Sequence, residues 1–326
     1  MVGTFYEKNK HVLHVNLLKF ALSKGVVLKK IHRVLSYNQS NFIEPYIRLN
    51  NELRKKNSSN KFLKDLFKFL NNSIFGKFLQ NNKNHCILKL KNNFESAEKL
   101  ISKDNFNKLY IFDENLVGIQ MKPLKVMLNM PIAIAACILD ESKLYMYNIF
   151  YNIFKRDFGS DVKLIYIDTD SFIMQFKHDN IYDYISKNPI FDTSNYETLN
   201  EFKIENKNAG ILGKLKDECS NDVISEIVCL RSKLYSYKTV KSVIVKKGKG
   251  IRHNIMRKKI KFDDFIDCLF NNVTYHVSQF QFQSKLHKVY TMKIRKVALN
   301  SQDDKRKILD DKISTLPYGH YKLNVN

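Results

Sequence analysis

Several features are missing from this chain of 326 residues, and each absence narrows the class of protein. The five cysteines form no Cys-x-x-Cys pair and no zinc-type spacing with histidine. This argues against a disulfide framework or a structural metal site, and it fits a reducing intracellular compartment. The most apolar helical stretch, residues 130–139, is too short to span a bilayer, and residues 1–13 lack the apolar core of a signal peptide. We therefore expect no membrane partner, and the absence of internal repeats disfavours a solenoid.

Acidic residues are scarce relative to basic ones. The chain has 55 Lys and Arg against 32 Asp and Glu, a formal charge of +23, and its first 60 residues carry only three acids. This balance favours a polyanionic partner such as nucleic acid, with salt-sensitive binding. A lysine-rich solubilising surface is the alternative explanation. Tryptophan is absent, but 17 Tyr and 23 Phe supply rings for the core and for stacking on bases.

The most informative segment is Tyr-Ile-Asp-Thr-Asp-Ser at residues 166–171. Two carboxylates, Asp168 and Asp170, lie one residue apart inside an apolar run. The pattern predicts a strand, a tight turn and a second strand, with the acidic pair at a hairpin tip. A hard divalent cation such as Mg²⁺ is the natural partner of such a pair, and a solvated Asp-Thr-Asp turn is the alternative.

A second segment combines a cation, an amide and a ring on one helix. In Lys-x-x-x-Asn-Ser-x-Phe-Gly at residues 68–76, helical spacing places Lys68, Asn72 and Phe75 on one face. Such a face can contact a phosphate, a base and a sugar. The alternative is an amphipathic helix that ends at Gly76.

The remaining pattern mixes helices with short strands. Helical spacing predicts two helices on either side of the polar break at residues 56–60, a helix near 96–101 and a long helix over 131–154. Outside the acidic hairpin, strands are predicted at residues 86–90, 109–112, 116–119, 211–216, 224–228, 234–239 and 243–245.

These segments, in this order, resemble motifs B and C of family B DNA polymerases. Arg-Ser-Lys-Leu-Tyr at residues 231–235 resembles the downstream Lys-x-Tyr motif of the same enzymes. The flanking segments resemble the protein-primed branch found in viruses and in Maverick or Polinton-like transposons, so that the resemblance covers nearly the whole chain. Those segments are residues 32–34, 45–47, 53–54, 191–194, 212–214, 249–251 and 317–320.

The resemblance implies a role for each matching residue in a DNA-directed DNA polymerase. Asp168 and Asp170 would be the catalytic carboxylates of a site for two Mg²⁺ ions, with Asp168 in the weaker or indirect role. Lys68 would contact the phosphates of the incoming dNTP, while Asn72 and Phe75 would line the nascent base pair.

Four further residues receive roles from the same resemblance. Lys233 and Tyr235 would position the primer end, and Tyr166 would contact primer or DNA. Arg54 is a candidate triphosphate contact, but the neighbouring Lys55 and Lys56 are candidates too, and the sequence does not decide among the three. The alternative for all three is a solvated basic helix face. The implied partners are a DNA primer-template, dNTPs and a terminal protein that primes synthesis.

The implied fold is α+β, with an antiparallel palm sheet, helical fingers and a small thumb. The expected divisions are a segment linking palm to fingers (1–45), fingers (46–82), an inserted subdomain (83–120), palm (121–261) and thumb (262–326).

One family element is missing from the sequence. No Asp-x-x-Ser-Leu-Tyr-Pro type segment, the motif A that supplies a further carboxylate, precedes motif B, and no exonuclease signature occurs. The chain is therefore expected to be the C-terminal portion of a larger polymerase, with an incomplete two-ion site and catalysis lowered by orders of magnitude. A catalytically inactive nucleic-acid-binding remnant is the alternative. A reverse transcriptase is disfavoured, because Thr169 separates the two Asp residues.

Overall fold

The computed structural model describes residues 4–197, 200–219, 222–285, 288–302 and 306–323. These residues form helices and antiparallel sheets, which confirms the predicted α+β class. The α-helices are Val15–Ser23 (α1), Glu44–Lys56 (α2), Lys61–Phe78 (α3), Phe94–Ile101 (α4), Ile132–Ile149 (α5), Lys155–Phe158 (α6), Ile181–Lys187 (α7), His253–Lys259 (α8) and Phe262–Phe270 (α9). Short 3₁₀ turns occupy Asn82–Asn84, Gly159–Asp161 and Tyr321–Leu323.

The strands form small, separate sheets. They are Ile87–Lys91 (β1), Phe106–Asp113 (β2), Leu116–Met121 (β3), Val162–Asp168 (β4), Ser171–Phe176 (β5), Ile224–Arg231 (β6), Leu234–Thr239 (β7), Ile244–Gly248 (β8), Tyr275–Lys285 (β9), Lys288–Leu299 (β10), Arg306–Ile308 (β11) and Thr315–Pro317 (β12). The sheet orders are β1-β3-β2, β4-β5, β6-β7-β8, β9-β10 and β11-β12. The pairs β1-β3, β2-β3, β4-β5, β6-β7, β7-β8 and β11-β12 are antiparallel.

The chain divides into two compact units. The described residues of Met1–Val34, Glu141–Gln279 and Arg295–Asn326 form the first unit, and those of Leu35–Asp140 and Phe280–Ile294 form the second. The finer domain boundaries expected from the sequence stay predictions.

The first unit contains two apolar clusters. One packs the end of α5, the β4-β5 hairpin and α7 around Phe154 and Val162, both almost fully buried. The other packs α8, α9 and the β6-β7 pair around Phe265, which has no exposed surface, and Leu234. The β4-β5 and β6-β7 hairpins therefore each have an apolar core beneath them.

The long helix predicted over residues 131–154 is interrupted at its end. Helix α5 stops at Ile149, and a wide π-helical turn covers Phe150–Phe154 before α6. The Phe154 ring lies 6.4 Å from Phe172 and 5.8 Å from Phe176, both on β5. The π turn therefore presents aromatic rings to the acidic hairpin, a kind of local widening that occurs often near functional sites.

The prediction of a strand at residues 211–216 is wrong. This segment consists of turns and one isolated bridge between Leu215 and Phe191. Gly213 has a φ of +82°, which is incompatible with an extended strand, and a Cβ added there would lie 2.8 Å from the Tyr145 hydroxyl. Tyr145 donates a hydrogen bond of 2.5 Å to the Gly213 carbonyl, so the aromatic side chain fixes this turn.

The second unit contains the paired helices α2 and α3 and the sheet β1-β3-β2, and these elements were all predicted. Pro45 lies in the first turn of α2, where its fixed φ suits a helix start. Asn60 begins α3 by accepting a hydrogen bond from the Leu63 amide at 3.1 Å. Helix α4 packs on one face of the sheet, where Ile119 is fully buried.

None of the helices in the described part of the chain is both long and apolar enough to cross a membrane.

The aromatic support of the acidic hairpin gives a testable expectation for stability. Phe154→Ala removes a ring that is 1% exposed, and we expect the free energy of unfolding to fall by about 3–5 kcal/mol through lost burial and the cavity left behind. Urea denaturation measures the change. Phe270→Ala, at a ring that is 74% exposed, is the matched control and should change stability by less than about 0.5 kcal/mol. Equal losses in the two variants would contradict the role given to Phe154.

Candidate functional site

The acidic pair lies at the tip of a hairpin, as predicted. Strands β4 and β5 pair from Val162 with Phe176 up to Asp168 with Ser171, so Thr169 and Asp170 alone form the connection. Asp168 is half-buried and Asp170 is exposed. Within the described part of the chain, the Asp170 carboxylate makes no hydrogen bond or ion pair. Strand alternation places Tyr166 on the same face of β4 as Asp168.

The connection between the two Asp residues is a γ-turn. The Asp170 amide donates to the Asp168 carbonyl at 2.6 Å, and the intervening Thr169 has a φ of +59°. A positive φ is costly for a β-branched residue, and this form of the γ-turn is rare and strained. Strained backbone of this kind accumulates at functional sites, so the turn is a feature that sequence periodicity alone did not predict.

A second hairpin tip meets the first. Strands β6 and β7 pair up to Arg231 with Leu234, which leaves Ser232 and Lys233 in the turn. Lys233 has a φ of +60°. Its backbone amide donates to the Tyr166 hydroxyl oxygen at 2.7 Å, across 67 residues of sequence. The motif around Tyr166 and the motif around Lys233 are therefore in direct contact.

The side chain of Lys233 reaches the first carboxylate of the pair. Its Nζ lies 2.6 Å from Oδ1 and 2.5 Å from Oδ2 of Asp168, so that the ammonium engages both carboxylate oxygens. The Lys233 side chain is 48% exposed and the Asp168 side chain is 31% exposed. The hydrogen bond to Asp168 is the main cause that raises the pKa of Lys233 above its usual range. Sequence reasoning missed this ion pair.

Strand alternation places two tyrosines on one face of β7. Leu234 and Ser236 are almost fully buried, so that Tyr235 and Tyr237 share the opposite face. Lys233 lies in the turn before β7, and its contacts with Tyr166 and Asp168 bring it to the β4-β5 hairpin.

The tyrosine rings continue the contact between the hairpins. The ring of Tyr235 lies 4.8 Å from the ring of Tyr166, and Tyr237 follows at 6.5 Å from Tyr235 in a stacked arrangement. Burial, followed by the negative charge of an ionised Tyr166, raises the pKa of Tyr235 above its usual value. One sequence signal could have indicated this cluster. In both Tyr-x-Asp (166–168) and Lys-x-Tyr (233–235), two polar or aromatic side chains are separated by a single residue.

The chemistry of the acidic pair fits a hard divalent cation. Carboxylate oxygens are what Mg²⁺ prefers, and proteins commonly bind it through one or two carboxylates completed by water and substrate phosphates. Asp168 and Asp170 would supply those oxygens. The described ranges contain no group of three or more His, Cys, Asp or Glu side chains arranged to hold a metal ion. A cation held here would therefore need ligands beyond the pair, such as water or phosphate.

The other predicted site residues lie in the second unit. On helix α3, Lys68 and Asn72 are exposed and Phe75 is half-buried, with helical spacing along one face. Arg54 lies half-buried in the last turn of α2. The ammonium of Lys68 makes no ion pair within the described ranges, so it is available to an anion.

A groove opens beside these helices, on the other side of α3. It has a volume of about 580 Å³ and is lined by Tyr46, Ser73, Ile74, Gly76, Lys77 and Gln80. Gly76 has no atom within 4 Å of the position that a Cβ would take, so no internal packing explains a glycine in this helix.

The structure thus brings Tyr166, Asp168, Lys233 and Tyr235 together, with Asp170 beside them at the turn. It places Lys68, Asn72, Phe75 and Arg54 on two paired helices of the second unit.

No protein-family model, curated protein or solved structure matches this chain. The family resemblance therefore rests on the motif residues and stays a prediction.

Replacing the strained threonine tests the γ-turn. Thr169→Gly removes the side chain that conflicts with a φ of +59°. We expect the free energy of unfolding to rise by about 0.5–1 kcal/mol. This gain is smaller than the full cost of a left-handed non-glycine residue, because glycine loses more conformational entropy on folding. Thermal or urea unfolding measures it. Thr291→Gly, at an exposed strand position, is the control and should destabilise the protein. A loss of stability in Thr169→Gly would contradict the backbone strain assigned to Thr169.

Removing one hydroxyl tests the docking of the two hairpins. Tyr166→Phe deletes the acceptor of the Lys233 amide and should lower the free energy of unfolding by about 0.5–1.5 kcal/mol, the usual net value of a hydrogen bond. Tyr151→Phe is the control, since the Tyr151 hydroxyl makes no hydrogen bond within the described ranges. The docking would be discounted if both variants unfolded at the same urea concentration as the parent chain.

Proposed function

We propose that this chain is the polymerising portion of a DNA-directed DNA polymerase of the protein-primed family B type. The observation that carries the proposal is the contact between Tyr166 and Lys233. Two segments that separately resemble the carboxylate motif and the primer motif of these enzymes meet through a hydrogen bond of 2.7 Å, although 67 residues separate them. A chance resemblance of two short segments gives no reason for them to be neighbours in space.

The reaction would be template-directed nucleotidyl transfer. The primer 3′-oxygen forms a new bond to the α-phosphorus of a dNTP, and the bond from that phosphorus to the pyrophosphate oxygen breaks. Mg²⁺ held by Asp168 and Asp170 would supply charge neutralisation on the phosphates. Lys68 would bind the triphosphate, Asn72 and Phe75 would pack against the new base pair, and Arg54 is a further candidate for a phosphate contact.

The primer end would lie against the surface made by the two hairpin tips. Lys233 presents an ammonium there, and the rings of Tyr166 and Tyr235 lie 4.8 Å apart on the same face. An ammonium suits a backbone phosphate, and tyrosine rings suit a sugar or base. The net charge of +23 supports a polyanionic partner.

In the same proposal, the regions of the chain take the roles of a polymerase. The β4-β5 hairpin with the end of α5 would belong to the palm, α2 and α3 to the fingers, and the segment after residue 262 to the thumb. A terminal protein that primes synthesis and the missing motif A carboxylate would complete the system.

A second candidate is a nucleic-acid-binding remnant without turnover. The ion pair between Lys233 and Asp168 favours it, because the ammonium neutralises one of the two carboxylates that would repel phosphates, so that a chain with a net charge of +23 would bind DNA without any cation.

Primer extension separates the two candidates. With a labelled primer on a DNA template, Mg²⁺ and dNTPs, the polymerase proposal predicts slow extension that Asp170→Asn lowers by more than about 100-fold, the size of effect expected for a group that stabilises the transition state electrostatically. Asp179→Asn is the matched control, since Asp179 is exposed just after β5 and its side chain makes no hydrogen bond or ion pair within the described ranges. Lys68→Ala should raise the KM for dNTP, while Lys77→Ala, on the opposite face of α3, should not.

Binding of the primer-template without extension would favour the second candidate. Salt-sensitive binding of the primer-template without any extension, unchanged by Asp170→Asn, would overturn the polymerase proposal for this chain and favour the binding remnant.

A further inference from the structure

We propose that the Lys233 ammonium is a built-in counter-ion that occupies Asp168 in the cation-free protein and competes with a divalent cation for the same two oxygens. This inference rests on the cation role given to the acidic pair under the proposed function. We call this arrangement a latch, because the carboxylate pair can bind a cation through Asp168 only after the Lys233 ammonium has left that residue.

The Lys233 ammonium is bonded to both oxygens of Asp168. The Lys233 Nζ lies within 2.6 Å of both Asp168 oxygens, so each oxygen already accepts from an N–H donor on the side where the ammonium lies. A divalent cation bound directly to these oxygens would lie close beside a like charge. The two occupants therefore exclude one another at Asp168.

The backbone of Lys233 is fixed, while its side chain is long and partly exposed. The turn holds Lys233 at a φ of +60°, and its amide is bonded to the Tyr166 hydroxyl at 2.7 Å. Tyr235 packs against the ring of Tyr166 and supports that bond. The four-carbon side chain, which is 48% exposed, can rotate away without breaking the docking of the hairpins.

A phosphate group would draw the Lys233 ammonium away from Asp168. Asp170, the other member of the pair, is exposed and makes no ion pair within the described ranges, so Lys233 pairs with Asp168 alone. A phosphate group of a nucleic acid offers Lys233 an alternative partner, since an ammonium binds phosphate as readily as carboxylate. Nucleic acid that takes Lys233 would therefore free Asp168 and raise the affinity for the cation, and by reciprocity the cation would strengthen nucleic-acid binding.

Binding of Mn²⁺ to the full chain without nucleotide tests the latch. Titration followed by the electron paramagnetic resonance of free Mn²⁺ should show affinity about tenfold higher in Lys233→Met than in the parent chain, within the range typical of coupled sites. Lys247→Met, at an exposed position of the same sheet, should leave the affinity unchanged, and Lys233→Arg should keep it low.

Two further variants protect the test against a folding defect and a site elsewhere. Lys233→Gly also removes the ammonium and suits a φ of +60°, so it should fold and gain the same affinity. Asp168→Asn added to Lys233→Met should abolish the gain. A short primer-template duplex should raise the Mn²⁺ affinity of the parent chain and have little effect on Lys233→Gly.

The latch is overturned if Lys233→Met and Lys233→Gly bind Mn²⁺ no better than the parent chain, or if the gain survives Asp168→Asn. Failure of the proposed function is a separate result, because this assay contains no dNTP and measures no extension. A chain that shows the gain but never extends a primer keeps the latch and loses the polymerase proposal.

Discussion

The docking of two hairpin tips is the constraint on which the candidate site depends. The Lys233 amide is bonded to the Tyr166 hydroxyl, and the Lys233 ammonium is bonded to both oxygens of Asp168. One contact fixes backbone to side chain and the other balances charge, so the orientation of the acidic pair is set by a residue 65 positions away in sequence. Neither hairpin could present this arrangement alone.

This docking relies on rigid support beneath each hairpin. The π-helical turn Phe150–Phe154 places aromatic rings under β5, and buried Leu234 anchors the start of β7 in a separate apolar cluster. Both turns contain a non-glycine residue with positive φ, Thr169 in one and Lys233 in the other. Strain of this kind persists only where surrounding packing determines the backbone, and here two cores and a cross-hairpin hydrogen bond do so.

The proposed chemistry follows from how charge is distributed around this support. A chain with a net charge of +23 favours a polyanion, yet it holds two carboxylates one residue apart at a hairpin tip. A basic surface that carries a small acidic site suits a reaction in which a cation must be placed against phosphates. The Lys233 side chain belongs to both parts, since it is able to bind either a carboxylate or a phosphate.

Much of the architecture could be predicted from local pattern. The period of 3.6 residues located α2 and α3, alternation and turn residues located the acidic hairpin and β6 to β8, and the spacing of Lys68, Asn72 and Phe75 placed them on one helix face. Two predictions lacked information that lies outside the local sequence. The segment at residues 211–216 is irregular because Tyr145 fixes a turn at Gly213, and α5 widens after Ile149 because its rings pack on β5.

The sequence by itself determined the residue types of the candidate site, because carboxylates, lysines and tyrosines at fixed spacing within one strand or helix share a face whatever the rest of the chain does. Only the tertiary structure decided which of these faces meet. The pairing of Lys233 with Asp168 depends on how two separate apolar clusters position two hairpins, and no periodicity within either hairpin encodes the distance between their tips.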